Sequence, residues 1–510
     1  LEKMMLGNSL LTAEKRFKNM ERKFVSHPEL KTQYVKFMRE YEELGHMEVC
    51  DHSKRDRDSY ILPHHAVVKE SSTTTKVRVV FDGSAKTSSG ISLNEALMTG
   101  RVIQKDLYNQ LLHFRKHQVV MTADIEKMYR QINMCEDDLD LQKIVWRESP
   151  QDVLKHYRLK TVTYGLAPSS FLATRCLKQI GMDNNLIFPR ASQVIKNYFY
   201  MDDLLTGADE LESCMKLKEE LIRILSSAGM TSRKWRSNAL ELSAESGPAK
   251  CAESGNSDKI ITDNPKTEKI LGLIWNNEYD YFSYAIMKPS GPTESKREIL
   301  SCIASTFDPL GLLGPIIIIA KLIMQRLWQS KAAWDDQSPN EILVPWRTYL
   351  QGLIQLNVLK IPRKIICKQA KELQLHGFCD SFEKAFGACI YMVSMDQIGK
   401  WHSHLITSKS RVAPLTCISL PMLELCSAVL LAKLMKTIKQ ALNIMEINTN
   451  YWCDSTIALS WLKGHPNFVS NRVAEIQELS DPDQWRHVSS SDNAEDILSR
   501  GTTADKLINS

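Results

Sequence analysis

Two small groups of carboxylates carry the chemistry this sequence can do. Asp202 and Asp203 are adjacent, between the apolar run 194–200 and Leu204-Leu205, so both fall in a tight turn between expected strands. Neighbouring carboxylates repel unless a cation bridges them, and oxygen ligands of this kind suit a hard divalent ion. Asp124 ends the strand-like stretch 119–123 in the same way. If the two strand ends converge, Asp124 and Asp202 form a two-metal clamp for in-line phosphoryl transfer, one ion activating a 3′-hydroxyl and the other holding a triphosphate. The plain alternative is a solvated Asp-Asp turn.

The second group lies after residue 370. Asp380 falls in an expected strand over 376–380, with a second strand over 386–392. Glu424 sits on the apolar helix 421–442, where an inward-facing glutamate is expensive unless it meets a metal or another cation. Asp454 ends a strand over 451–453, and Asp496 belongs to a short helix.

The elements that must position these acids are legible in outline. At 510 residues the chain is too long for one core, and a domain size of ~150 residues suggests roughly three folding units. Hydrophobic residues make up 43% and charged residues 25%, which places it among folded rather than disordered chains. Helical spacing runs over 11–48, broken at Pro28, and a hairpin is expected over 60–82. Runs 119–123 and 194–201 read as strands, 242–268 as a flexible insertion, and 295–328 and 341–355 as helices. The apolar stretch 310–320 is cut by Gly311, Gly314 and Pro315, well short of the ~20 residues a membrane span needs, so no membrane partner is expected. Twelve cysteines without a C-x-x-C pair or zinc-finger spacing imply reduced thiols in an intracellular protein. Residues 371–510 carry a net −2, which leaves +7 on the first 370, a mildly basic body suited to a polyanion. The start at Leu1-Glu2-Lys3, without Met or an apolar signal core, is expected of a processed piece of something longer.

Tyr200-Met201-Asp202-Asp203 with the upstream strand and Asp124 resembles the palm of a reverse transcriptase. The stretch 78–84 (Arg-Val-Val-Phe-Asp-Gly-Ser) is similar to the fingers strand of that family, which implies Lys76 and Arg78 as contacts to the incoming triphosphate. Tyr129, five positions past Asp124, matches the aromatic gate that excludes a ribose 2′-hydroxyl. Gly165, in Tyr164-Gly165-Leu166-Ala167-Pro168, matches the template-positioning turn, Lys234 the lysine after the palm helix, and 271–275 the primer grip. The four later acids resemble the metal ligands of ribonuclease H, with Asn493-Ala494-Glu495-Asp496 standing where that family has N-P-A-D; the last ligand is carried onto Asp496, with Glu495 as the alternate. The phrases 81–86 and 92–95, and 307–313 before Ala320-Lys321, resemble the Pao/BEL class of long-terminal-repeat retrotransposon polyproteins over nearly the whole chain.

The resemblance implies an α+β multidomain fold, a right-hand polymerase (fingers, palm, thumb) followed by an α/β ribonuclease H-like domain. The expected division is an N-terminal helical segment over 1–50, fingers and palm over 51–276, thumb or connection helices over 277–370, the nuclease over 371–501 and a tail over 502–510. It implies two Mg²⁺ per active site, with Mn²⁺ as the alternative. Asp124, Asp202 and Asp203 would hold one pair and Asp380, Glu424, Asp454 and Asp496 the other, with Tyr200 and Met201 contacting substrate. Implied partners are an RNA template, a DNA primer, dNTPs, the RNA–DNA hybrid, and gag, protease and integrase segments. The implied location is the cytoplasm, in virus-like particles. Two rivals remain: a domesticated remnant that binds nucleic acid without turnover, and an aspartic peptidase. The latter needs D-[ST]-G, whereas the chain offers only Asp380-Ser381-Phe382. No integrase acidic triad follows Gly501.

Overall fold

Apolar residues three or four apart decide how the chain begins. In the computed structural model, which describes residues 6–50, 59–68, 77–243, 267–287, 289, 291–416, 418–464 and 470–509, helix α1 (Leu10–Ser26) buries Ala13, Phe17, Met20 and Phe24. Helix α2 (Pro28–Glu43) buries Leu30, Tyr34, Met38 and Tyr41. Pro28 divides them because its ring presets the first turn of a new helix and cannot donate to the one before. β1 (Met47–Val49) follows, so the segment expected to be helical over 1–50 ends in a strand. The hairpin forms as expected: β2 (His64–Val68) pairs antiparallel with β3 (Val77–Phe81), His64 opposite Phe81. Val77, Val79 and Phe81 face the core and Arg78 faces out, the period of a half-buried strand.

The short α3 (Leu93–Ala96), started by a Ser92/Glu95 capping box, and α4 (Leu107–Phe114) lead into β4 (Val119–Ile125). β5 (Lys143–Trp146) and β6 (Lys155–Leu159) then return to β1 in the order β1-β6-β5. Helices α1 and α2, the hairpin and this sheet close on one core around Phe17, Tyr34, Phe81 and Trp146.

A second core carries α5 (Ser169–Asp183), α6 (Pro189–Asn197) and α7 (Leu211–Ser227) against an antiparallel sheet ordered β7-β8-β4-β9. Its other strands are β7 (Phe199–Tyr200), β8 (Asp203–Ala208) and β9 (Ser232–Ser237). The run 194–201 is not a strand throughout. Its first four residues end α6, because Ala191, Val194 and Ile195 recur at helical spacing and are buried together, and only Phe199 and Tyr200 extend.

Helix α8 (Leu240–Ser243) and β10 (Thr267–Ile270) claim both ends of the stretch expected to be a flexible insertion, while 244–266 lie outside the described residues. β10 joins β11 (Leu273–Asn276), β12 (Tyr281–Ser283) and, from far along the chain, β13 (Ile361–Pro362). Between them run α9 (Lys296–Ser305), α10 (Gly314–Gln329) and α11 (Asn340–Leu353). The helix expected over 295–328 breaks at 306–313, where Gly311 takes φ +70° and a Cβ would lie 1.9 Å from the Ser408 carbonyl oxygen.

The C-terminal sheet has the order β16-β15-β14-β17-β18, built from β14 (Glu372–Phe382), β15 (Ala385–Met395), β16 (Trp401–Val412), β17 (Asn448–Cys453) and β18 (Trp485–His487). β14, β15 and β16 are antiparallel, whereas β14, β17 and β18 run parallel. Helix α12 (Leu420–Leu442) packs on β14 and β15. Helices α13 (Thr456–Lys463), α14 (Ser470–Leu479), α15 (Asp496–Arg500) and α16 (Ala504–Asn509) complete it. The last corrects the expected tail: α16 lies against α11, with Ala504 buried in the common core.

That core is continuous from Leu111, Phe114 and Trp275 through α9–α11 to the C-terminal sheet. At its centre the fully buried Arg115 donates to the carbonyls of Pro362, Arg363 and Ile406, and Arg363 pairs with Asp280 through two bonds of 2.6 Å. No helix among the described residues is long and apolar enough to cross a membrane.

Candidate active sites

The first site is a two-residue hairpin turn. Tyr200 pairs with Asp203, leaving Met201 and Asp202 at the tip, and Met201 takes the left-handed φ of +56° that such turns require. Asp124 on β4 lies opposite Asp203 on β8, and the Ile125 N–H donates to the Asp202 carbonyl at 3.0 Å, so the three acids share adjoining strand ends. The Lys234 ammonium, at φ +53° on β9, lies 2.5 Å from Asp124 Oδ2, while Oδ1 is buried without a partner. Burial raises the Asp202 carboxyl above the usual range and the Asp124 charge adds to this, against the pull of Lys234 and Arg78. Arg78 therefore faces this turn from the hairpin; Lys76 lies outside the described residues.

The neighbouring residues carried over from the resemblance also gather here. Tyr129, half-buried, places its hydroxyl 3.3 Å from Ser170 Oγ and its ring edge-on to Tyr164. Gly165 has φ +97°, and a Cβ there would lie 2.1 Å from the Phe81 carbonyl oxygen, so this turn touches the fingers strand only as glycine. Sequence reasoning missed Gln104. Its Oε1 accepts from the Met201 N–H at 2.8 Å and its Nε2 donates to the Met201 carbonyl at 3.5 Å, bracketing the strained residue. A groove of about 740 Å³ runs from Tyr200 and Met201 past Gln104 to Phe307.

The second site lies on the C-terminal sheet. Glu424, Cys453 and Asp454 bring ligand atoms within 4.8 Å of one another, the single grouping of three such atoms among the described residues. Asp380 stands beside them, its Oδ2 accepting from Ser499 Oγ at 2.6 Å, and Asp454 Oδ2 accepts from Ser490 Oγ at 2.9 Å. Burial, with the charges of Asp454 and Asp496, pushes the Asp380 carboxyl up to about 6. Burial, with Asp380 and Asp454, pushes Glu424 up to about 8. Asp496 is partly turned away, its Oδ1 held 2.7 Å from Arg500 Nε. Glu424 Oε2, Asp454 Oδ1 and both oxygens of Glu495 are buried without partners. Unpaired buried carboxylates are what a hard cation neutralises, so the residues fit a divalent ion. Ser490 and Ser499 were not legible as site residues, since neither spacing nor residue type marks a hydroxyl that reaches an acid 36 or 119 positions away.

Residues 74–274 match the family model of the reverse transcriptase (RNA-dependent DNA polymerase), and residues 295–455 match that of the Pao retrotransposon-like RNaseH-like domain. No curated protein matches the chain. Among solved structures, the foamy viral protease-reverse transcriptase dRH in complex with double-stranded DNA aligns at TM-score 0.57 and 14% identity, over 88% of this chain and 68% of that one. The foamy viral protease-reverse transcriptase in complex with an RNA/DNA hybrid aligns at 0.55 and 13%, over 91% and 54%. Its complex with double-stranded DNA aligns at 0.55 and 13%, over 90% and 82%. At such identity the likeness shows the fold, a reverse transcriptase followed by a ribonuclease H-like domain, and Asp380-Ser381-Phe382 falls within the match to the RNaseH-like family. With its palm-like turn in the first matched segment and its carboxylate-lined sheet in and beyond the second, the chain joins a reverse transcriptase segment to a Pao retrotransposon-like RNaseH-like segment, consistent with the Pao/BEL-type region that its motifs resemble.

Proposed function

We propose that Asp124, Asp202 and Asp203 hold two Mg²⁺ ions for nucleotidyl transfer, and that Asp380, Glu424, Asp454 and Asp496 form a separate nuclease site for the RNA of a hybrid. The observation that carries the first assignment is the convergence of three acids on adjoining strand ends, opposite Arg78. When bound, a pair of divalent cations activates the attacking oxygen and neutralises charge on the leaving group. The chain's own residues do the placing. Gln104 fixes Met201 and so keeps Asp202 at the tip of its turn. Arg78, with Lys76, pairs with the triphosphate, Tyr129 closes against the sugar at its 2′ position, and Gly165 lets the template-side turn approach the fingers strand. Lys234, already on Asp124, meets the same substrate from β9.

Substrates on this reading are an RNA template, a DNA primer and dNTPs, held through phosphates and groove shape rather than base edges. The working division is fingers and palm over 51–276, thumb or connection over 277–370 and nuclease over 371–501. The setting is a cytoplasmic virus-like particle shared with gag, protease and integrase segments. Primer extension on an RNA template by the purified chain with Mg²⁺, beside cleavage of a labelled hybrid, tests both sites. Absence of extension with hybrid cleavage retained refutes the palm assignment alone.

A further inference from the structure

Glu495 is the residue the nuclease reading leaves unexplained. It is fully buried, and neither carboxylate oxygen has a hydrogen-bond partner. Its place is built rather than accidental. A Cβ on Gly387 would lie 2.1 Å from Glu495 Oε1, and Gly387 is the register partner of Asp380, so the carboxylate occupies the gap a glycine leaves on β15 beside the first nuclease acid. Paired residues on neighbouring strands share a face, which puts Glu495 and Asp380 on the same side of the sheet. Helix α15 starts with Asp496, but this acid is tied to Arg500, whereas its predecessor points inward.

We propose that Glu495 is a direct ligand of the divalent cation held at Asp380, making a fifth carboxylate in the nuclease site. Asp496 is then the outer acid, shared between Arg500 and the site. The inference rests on the nuclease reading above. It follows from the chemistry of the pocket: a glycine-sized gap that buries a carboxylate with two unpartnered oxygens beside other acids is costly, and a cation on Asp380 offsets that cost. Ser499, one turn on, already donates to Asp380 Oδ2.

The test is Mn²⁺ titration by calorimetry of the full chain in an Asp124→Asn/Asp202→Asn background, which confines binding to the nuclease site. Glu495→Gln, which keeps the shape and removes the charge, should weaken Mn²⁺ binding about tenfold or more, and Asp496→Asn should weaken it less. Glu495→Gln should also gain less in melting temperature than its parent on adding Mn²⁺. Unchanged Mn²⁺ affinity in Glu495→Gln, with affinity lost in Asp380→Asn, overturns the inference and leaves the nuclease site standing. Loss in neither variant overturns the nuclease reading itself. Should Glu495→Gln fail to fold, Glu495→Ala with the same titration decides: wild-type affinity there is also fatal to the inference.

Discussion

The two acidic sites solve the same electrostatic problem differently. In the palm the acids stand at strand ends, and side-chain cations answer them: Lys234 touches Asp124 and Arg78 faces Asp202. In the nuclease the acids sit deeper, with Asp380 4% and Glu424 7% exposed, and Arg500 reaches only the outermost, Asp496. Glu424 is accordingly pushed to about 8 and has an orphaned oxygen. A site that brings its own cations tolerates the loss of metal, whereas one that buries bare carboxylates stores the repulsion in the fold.

The largest effect that sharpens this contrast is functional. Asp202→Asn should lower DNA synthesis on RNA by ~10²–10³-fold or more while hybrid cleavage continues, and Glu424→Gln should do the reverse. Primer extension and cleavage measured on both variants check this, and a variant that loses both activities breaks the separation. Next comes pH. Glu424 and Asp380 have native values above those of the unfolded chain, so the native protein binds more protons between about 4.5 and 8. Stability in chelator should therefore be greatest at the acid end of that window and fall as pH rises through it, by on the order of 3 kcal/mol. Saturating Mg²⁺ at about 100 times its Kd should return ~2.7 kcal/mol at pH 8, read as a rise in Tm. That rise should survive Asp124→Asn/Asp202→Asn and shrink in Asp380→Asn/Glu424→Gln.

Smaller effects concern placement in the palm. Gln104→Ala removes two bonds to Met201 and should lower kcat by about tenfold, near 1.4 kcal/mol, with little change in template affinity; a change in affinity alone would mean that Gln104 only shapes the groove. Tyr129→Ala should narrow the preference for dNTP over rNTP, measured as a ratio of kcat/KM, and an unchanged ratio makes the ring a packing residue. The smallest is Lys234→Met. Its ion pair is largely solvated, so stability should move by less than ~1 kcal/mol, while Mg²⁺ binding at the palm tightens a few-fold in a Glu424→Gln background.

The palm turn was readable because its flanks are apolar and two adjacent aspartates need an answer. The length of the strand before it was not, since Val194, Ile195, Tyr198 and Phe199 favour extension and only packing of Ala191, Val194 and Ile195 makes the first part a helix. β16 went unseen because Trp401, His402, Ser403 and His404 lack a clean alternation, its edge position leaving much of it exposed. The tail was misread because its polar composition hides one small residue, Ala504, that the core accepts. The seven acids were legible one by one. The groups that hold them were not, because Gln104, Ser490 and Ser499 act through contacts that sequence spacing does not encode.

Arg115 joins three distant stretches of chain by gripping main-chain carbonyls and nothing else. Such a grip is indifferent to the side chains at Pro362 and Ile406, so drift at those two positions leaves it intact as long as the backbone keeps its course, whereas Arg363 is held by its own pair with Asp280. The arginine itself has no substitute, because a lysine offers one ammonium where a planar fork meets three oxygens. Polymerase and nuclease are thereby welded at a point, and their spacing is a property inherited whole.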